Sequence, residues 1–178
     1  MIHALAAGLV AATAAVASAP SPFPLGDGSR WSLRELDRGA ARTISVRGGV
    51  VRGLPGAGDL RVRGVGATVQ AWDAGQQRWE ALFRFGARAG TRYVVDLAGT
   101  GLWRSVVVTV ATKQAVVEDY DGRPRRGCIR FTMRARKPVA DAGIEEVSFA
   151  PGVGPVRIIE QTIAGPRELL LDSYRLGT

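Results

Sequence analysis

Close-set turn signals constrain this chain more than any other feature. Gly48-Gly49, Pro55-Gly56, Asp73-Ala74-Gly75, Ala89-Gly90, Asp121-Gly122, Pro151-Gly152 and Gly165-Pro166 interrupt it at short intervals. Glycine admits positive φ, proline fixes φ, and aspartate bonds to its own turn, so each pair ends a regular element. The runs between them alternate with a period of two or are rich in β-branched residues. Strands are expected near 30–36, 43–52, 59–63, 67–73, 78–85, 91–97, 102–111, 114–119, 127–136, 144–150, 155–163 and 168–175. The pattern predicts an all-β or mainly β fold. Its form would be a curved antiparallel sheet, a half-barrel or open barrel, with few or no helices after the N-terminal leader. Trp31 to Arg42 has a composition that also suits a short helix ended by Gly39, but no clean apolar stripe supports it.

Alternation is clearest in 78–85, where Trp79, Ala81, Phe83 and Phe85 fall on one face. In 128–134, Ile129, Phe131 and Met133 face one way and Arg130 and Arg134 the other. No repeat of solenoid period is present.

The first residues have a different character. Positions 4 to 17 are uncharged and almost wholly apolar, and Ala17-Ser18-Ala19 offers a small-x-small cleavage site. This is the layout of a secretory signal peptide, and the stretch is short for a transmembrane helix. Met1-Ile2-His3 lacks the usual basic residue, and Pro20 follows the cut. The expected organisation is a signal peptide over 1–19, an extended approach segment over 20–29 and one β-rich domain over 30–178. The expected location is periplasmic or extracellular. No cysteine lies near the leader, which excludes lipid attachment there.

The net charge is +8, carried by two lysines (Lys113 and Lys137) and twenty-two arginines. Such a balance favours anionic partners, although the arginine bias with abundant Ala, Gly and Val also reads as codon usage. Arg123, Arg125, Arg126, Arg130, Arg134, Arg136 and Lys137 form the densest basic stretch. It would suit an anionic head group or polymer. Nucleic acid is not expected, because no aromatic residues interleave those arginines.

Several chemistries are excluded by composition. The lone histidine, His3, lies in the leader, so a mature chain has no histidine base and no Ser-His-Asp or Cys-His pair. One cysteine, Cys128, allows neither an intrachain disulfide nor a cysteine-rich zinc site. Nearby arginines could favour its thiolate; a small buried strand residue is the plainer reading. Glu118-Asp119-Tyr120-Asp121-Gly122 is the one acidic cluster, but it lacks the ligand spacing of a calcium loop and reads as a hairpin turn. No metal and no cofactor are expected. Gly64-Val65-Gly66 and Gly99-Thr100-Gly101 are lone Gly-x-Gly fragments, hence turns.

Two segments resemble a group of uncharacterised secreted bacterial β-rich proteins. Pro24-Leu25-Gly26-Asp27-Gly28-Ser29-Arg30-Trp31 is similar to their Pro-Leu-x-x-Gly-x-x-Trp opening. Phe149-Ala150-Pro151-Gly152-Val153-Gly154-Pro155-Val156 is similar to their aromatic-Ala-Pro-Gly-Val-Gly-x-Val hairpin, and Leu171-Asp172-Ser173-Tyr174 to their closing strand. Residues 40 to 125 match only in β-rich character, and Ser148-Phe149 stands where Trp-Tyr is more usual. The resemblance implies a sheet of lipoprotein-carrier type that binds an apolar ligand.

The leading expectation is therefore a non-enzymatic exported or cell-envelope protein that binds a hydrophobic or amphipathic, anionic ligand such as a lipid. Trp72, Trp79, Phe83 and Phe85 would line the concave side, and Arg130 and Arg134 would meet the head group, with contact to a membrane surface. The first alternative is an envelope interaction module with no small ligand. The second is a hydrolase using Asp119 and Asp121.

Overall fold

The computed structural model describes residues 21–97, 103–136 and 143–178. The leader expected over 1–19 and Lys137 lie outside the described residues. Among the described residues, twelve strands form one antiparallel sheet. They are β1 (Arg30–Glu35), β2 (Ala41–Arg47), β3 (Val50–Arg52), β4 (Leu60–Val65), β5 (Thr68–Asp73), β6 (Arg78–Arg84), β7 (Arg92–Val95), β8 (Val106–Glu118), β9 (Pro124–Ala135), β10 (Gly143–Ala150), β11 (Gly154–Thr162) and β12 (Gly165–Arg175). The expected all-β, barrel-like class is what the chain adopts. The sequence also leads to twelve strands, but by two compensating differences. The run 43–52 divides at the Gly48-Gly49 hairpin, both glycines having positive φ. The runs 102–111 and 114–119 join into the single strand β8. Trp31 to Arg42 covers most of β1, the turn after it and the first two residues of β2, with no helix.

The order is β6-β5-β4-β3-β2-β1-β12-β11-β10-β9-β8-β7. Two six-stranded meanders are thus joined where β1 pairs with β12. The sheet curls until β6 and β7 face each other. Tyr93 of β7 bridges that seam with its phenol oxygen. It accepts from the Arg84 N–H at 3.2 Å and donates to the Leu82 carbonyl at 3.1 Å, both on β6. One side chain thereby supplies the donor and acceptor that a paired strand would supply.

Inward-facing residues alternate with outward ones along each strand. The interior holds Leu33, Ile44, Val46, Val108, Val110, Phe131, Val147, Phe149, Val156 and Ile158, all buried. The outer wall carries Arg47, Arg52, Arg61, Arg63, Arg84 and Arg134, all exposed. This polarity is opposite to that of a barrel that spans a membrane, which is apolar outside.

The segment before β1 contributes Phe23 to the core. Phe23 is buried, with ring centroids 5.4 Å from Trp31 and 5.2 Å from Phe149. Trp31 donates its indole N–H to the Val153 carbonyl. Gly154 has φ +114°, and a Cβ there would strike the Trp31 ring, so the β10–β11 turn and Trp31 require a glycine at that position. The chain's last residues clasp the same end: Gly177 N–H donates to Ser29 Oγ at 2.9 Å and Asp27 N–H to the Thr178 carbonyl at 3.1 Å. At the opposite end Trp103 donates to the Pro55 carbonyl at 3.4 Å.

Candidate functional site

The barrel interior is full. Phe83 contacts five aromatic rings: Phe149 at 4.7 Å, Phe131 at 5.3 Å, Trp103 at 5.8 Å, Phe85 at 6.0 Å and Phe23 at 6.3 Å between centroids. The internal space lined by Trp103, Val106, Met133 and Ile144 comes to about 10 Å³, enough for one water at most. That space is far too small for a lipid chain.

The four expected pocket aromatics are therefore separated. Phe83 and Phe85 are buried in the packed core. Trp72 and Trp79 lie on the outer face, paired edge-to-face across β5 and β6 at 5.4 Å. The physical cause is a β-bulge. The β5–β6 register shifts between Val69 and Gln70, so Leu82 and Phe83 both turn inward. Trp79 and Ala81 precede the shift and face out; Phe83 and Phe85 follow it and face in. A concave site made of all four residues does not exist.

Arg130 and Arg134 do face outward, as alternation requires. Arg130, however, lies 3.3 Å from Glu146, which also meets Arg157 at 3.4 Å, and Arg157 reaches Glu168 at 2.7 Å. Four strands are thus crossed by a ladder of alternating charge. Arg130 is neutralised in this ladder, and no head group is needed to explain it. Arg134 stands exposed beyond it.

β8 and β9 continue past the last β9–β10 pair, Ile129 with Phe149, as a two-stranded arm. Three register shifts in the β8–β9 pairing and the positive φ of Gly127 bend it. It folds back over the outside of β11 and β12, where the Tyr120 N–H donates to the Leu171 carbonyl at 2.8 Å. Arg34 sits 4.7 Å over the Tyr120 ring and 3.2 Å from Asp172. An open groove of about 480 Å³ remains between arm and sheet, lined by Leu36, Val116, Tyr120, Arg157, Glu168 and Leu170 among others.

The acidic cluster belongs to this arm. Asp119 is buried. One of its oxygens accepts from the N–H groups of Asp121 and Arg123, at 3.2 and 2.9 Å; the other accepts two bonds from Arg125, at 3.1 and 2.8 Å. Burial pushes its carboxyl up, but the guanidinium and the two amides outweigh that and hold it below the ordinary value. Both oxygens are engaged in pinning the turn. Asp121 is exposed and pairs with Arg123 at 3.4 Å. Cys128 is fully buried and donates to the Arg125 carbonyl; burial pushes its thiol up, against the opposing pull of Arg125 and Arg130. It is a packing residue and not an activated thiol. No group of three His, Cys, Asp or Glu suited to a metal occurs among the described residues.

The wall of β2 to β6 is different. Arg47 pairs with Val50, Val50 pairs with Arg61, and Trp72 pairs with Trp79. Arg61 and Trp72 flank the same side of the Val62–Ala71 pair. These five residues make one outward row across five strands. Beside it, Arg63 lies 4.2 Å over the Trp79 ring and donates to Gln70 at 2.8 Å; Arg61 is 5.8 Å from the same ring. Arg47, Arg61 and Arg63 have no carboxylate partner among the described residues; Arg52 pairs with Asp59 at 2.9 Å. Sequence reasoning missed these arginines. The signal was the alternation Leu60-Arg61-Val62-Arg63, which places two arginines on one face. Their company with Trp72 and Trp79 depends on the β4–β5–β6 register.

No family model and no curated protein matches the chain. Among solved structures it is similar to one described as a "putative lipoprotein from Parabacteroides distasonis", with 10% identity, a TM-score of 0.43, and coverage of 89% of this chain and 100% of the other.

Proposed function

We propose that this chain is an exported, non-enzymatic binding protein of the cell envelope that holds an amphipathic, anionic ligand on the outside of a filled barrel. One observation carries the reading: the packed interior leaves the outer wall as the place where recognition can occur, and that wall joins indole surface to arginines with no carboxylate partner among the described residues. The leader layout supports export. The absence of histidine after position 3 supports a role in binding, because it removes the commonest acid–base catalyst. The resemblance to secreted β-rich proteins supports the setting, with the ligand moved from the concave to the convex side.

Titration with a fluorescent fatty-acid analogue tests the placement of the ligand. The reading expects no saturable, one-to-one uptake that depends on Phe83. Stoichiometric uptake lost on filling or emptying the Phe83 site would place the ligand inside and sink the proposal.

A further inference from the structure

We infer that the β2–β6 wall binds a linear anionic polysaccharide laid across the strands, an assignment that rests on the outside-binding reading above. The row Arg47–Val50–Arg61–Trp72–Trp79 runs perpendicular to the chain direction. Four strand spacings make it about 19 Å long. It offers cations at one end and an indole pair at the other, with Arg63 beside them.

Charge balance supplies the first argument. On the wall of β9 to β12, Arg130 and Arg157 meet carboxylates in the ladder Arg130–Glu146–Arg157–Glu168, while Arg126 and Arg134 meet none among the described residues. On the β2–β6 wall, Arg47, Arg61 and Arg63 meet none among the described residues. Like charges gathered on one sheet face destabilise it, and an anionic partner removes that cost. The second argument is preorganisation. Arg63 is stretched along the sheet by its bond to Gln70 and its seat on Trp79, so little rotamer freedom is lost on binding.

The shape of the patch selects the partner. Sugar rings present apolar C–H faces that suit the part of the indole pair that Arg63 does not cover, and the carboxylates of uronate sugars suit the guanidinium fork. Trp72 and Trp79 are half-buried and meet edge-to-face at 62°, so they form one platform rather than a succession of them. Single-stranded nucleic acid needs successive platforms for successive bases. A membrane surface calls for protruding apolar side chains, whereas here arginines overlie the indole.

Calorimetric titration of the exported chain with hexagalacturonate, and with neutral cellohexaose, tests the inference. Saturable binding of the first and none of the second is expected, weakening as salt is raised. Changing Arg47→Gln and Arg61→Gln together should lower affinity on the order of tenfold or more. Arg126→Gln, on the arm, should leave it unchanged. Both wall arginines are exposed, and an unfolding midpoint no lower than that of the parent chain verifies that the double variant is folded. Absence of hexagalacturonate binding, equal binding of an oligothymidylate, capture only by phosphatidylglycerol vesicles, or an equal loss in Arg126→Gln would each overturn it. A negative result here leaves the outside-binding reading standing, whereas fatty-acid uptake into the core defeats that reading whatever the glycan does.

Discussion

Phe83→Ala separates a packed barrel from a ligand-lined one. Phe83 is fully buried and its ring touches five others, at centroid distances from 4.7 to 6.3 Å. Removing it deletes a large buried side chain from a site walled by five rings, two of them, Phe131 and Phe149, held on strands. The surroundings can collapse only in part, so the loss should be about 3–5 kcal/mol. For a chain of this length that corresponds to a fall in Tm of roughly 6–20 °C. Urea denaturation followed by tryptophan emission and by far-ultraviolet dichroism would measure it. The new cavity should be dry and should take up a small apolar probe such as benzene or xenon. A loss below about 1 kcal/mol would refute the reasoning, because a residue facing a roomy pocket leaves little packing behind when truncated.

Tyr93→Phe removes the hydroxyl that closes the β6–β7 seam and should cost about 1–3 kcal/mol in the same denaturation assay. Burial holds the Tyr93 phenol up at about 12. The folded chain therefore keeps a proton that the unfolded chain loses near pH 10, and stability should fall between those values as pH rises, by about 2–3 kcal/mol in all; Tyr93→Phe should flatten that fall. Gly154→Ala meets both a positive φ and the Trp31 ring, and should destabilise by at least about 2 kcal/mol, read as a lowered urea midpoint. Asp119→Asn should cost about 1–3 kcal/mol. Because the Asp119 carboxyl is held below its ordinary value, its contribution is present above the unfolded pKa and lost as pH falls through the folded one, so the variant should show a shallower acid limb in pH-dependent unfolding.

The strands were legible because their limits are set by local chemistry. Gly48-Gly49, Asp121-Gly122 and Pro151-Gly152 each turn the chain by themselves, and the glycine in each of the last two pairs takes positive φ. Sites were less legible because they depend on register. A bulge opposite Val69 and Gln70 is not encoded in the alternation of 78–85, yet it puts Trp79 outside and Phe83 inside. Arg130 reads as a free cation until strand pairing brings Glu146 beside it. Phe23 sits among prolines and glycines that look like a linker, and only the closed barrel shows why it is apolar. The arginine–tryptophan row joins residues from five strands, and no stretch of the chain contains more than one of its pairs.

Native mass spectrometry of the protein, purified without detergent, tests the central claim most directly. The account predicts the bare polypeptide mass, since the interior has no room for a passenger and a surface-bound polyanion dissociates in salt. A reproducible extra mass, held through salt washing and released by organic solvent, would contradict it and return the ligand to the barrel's interior.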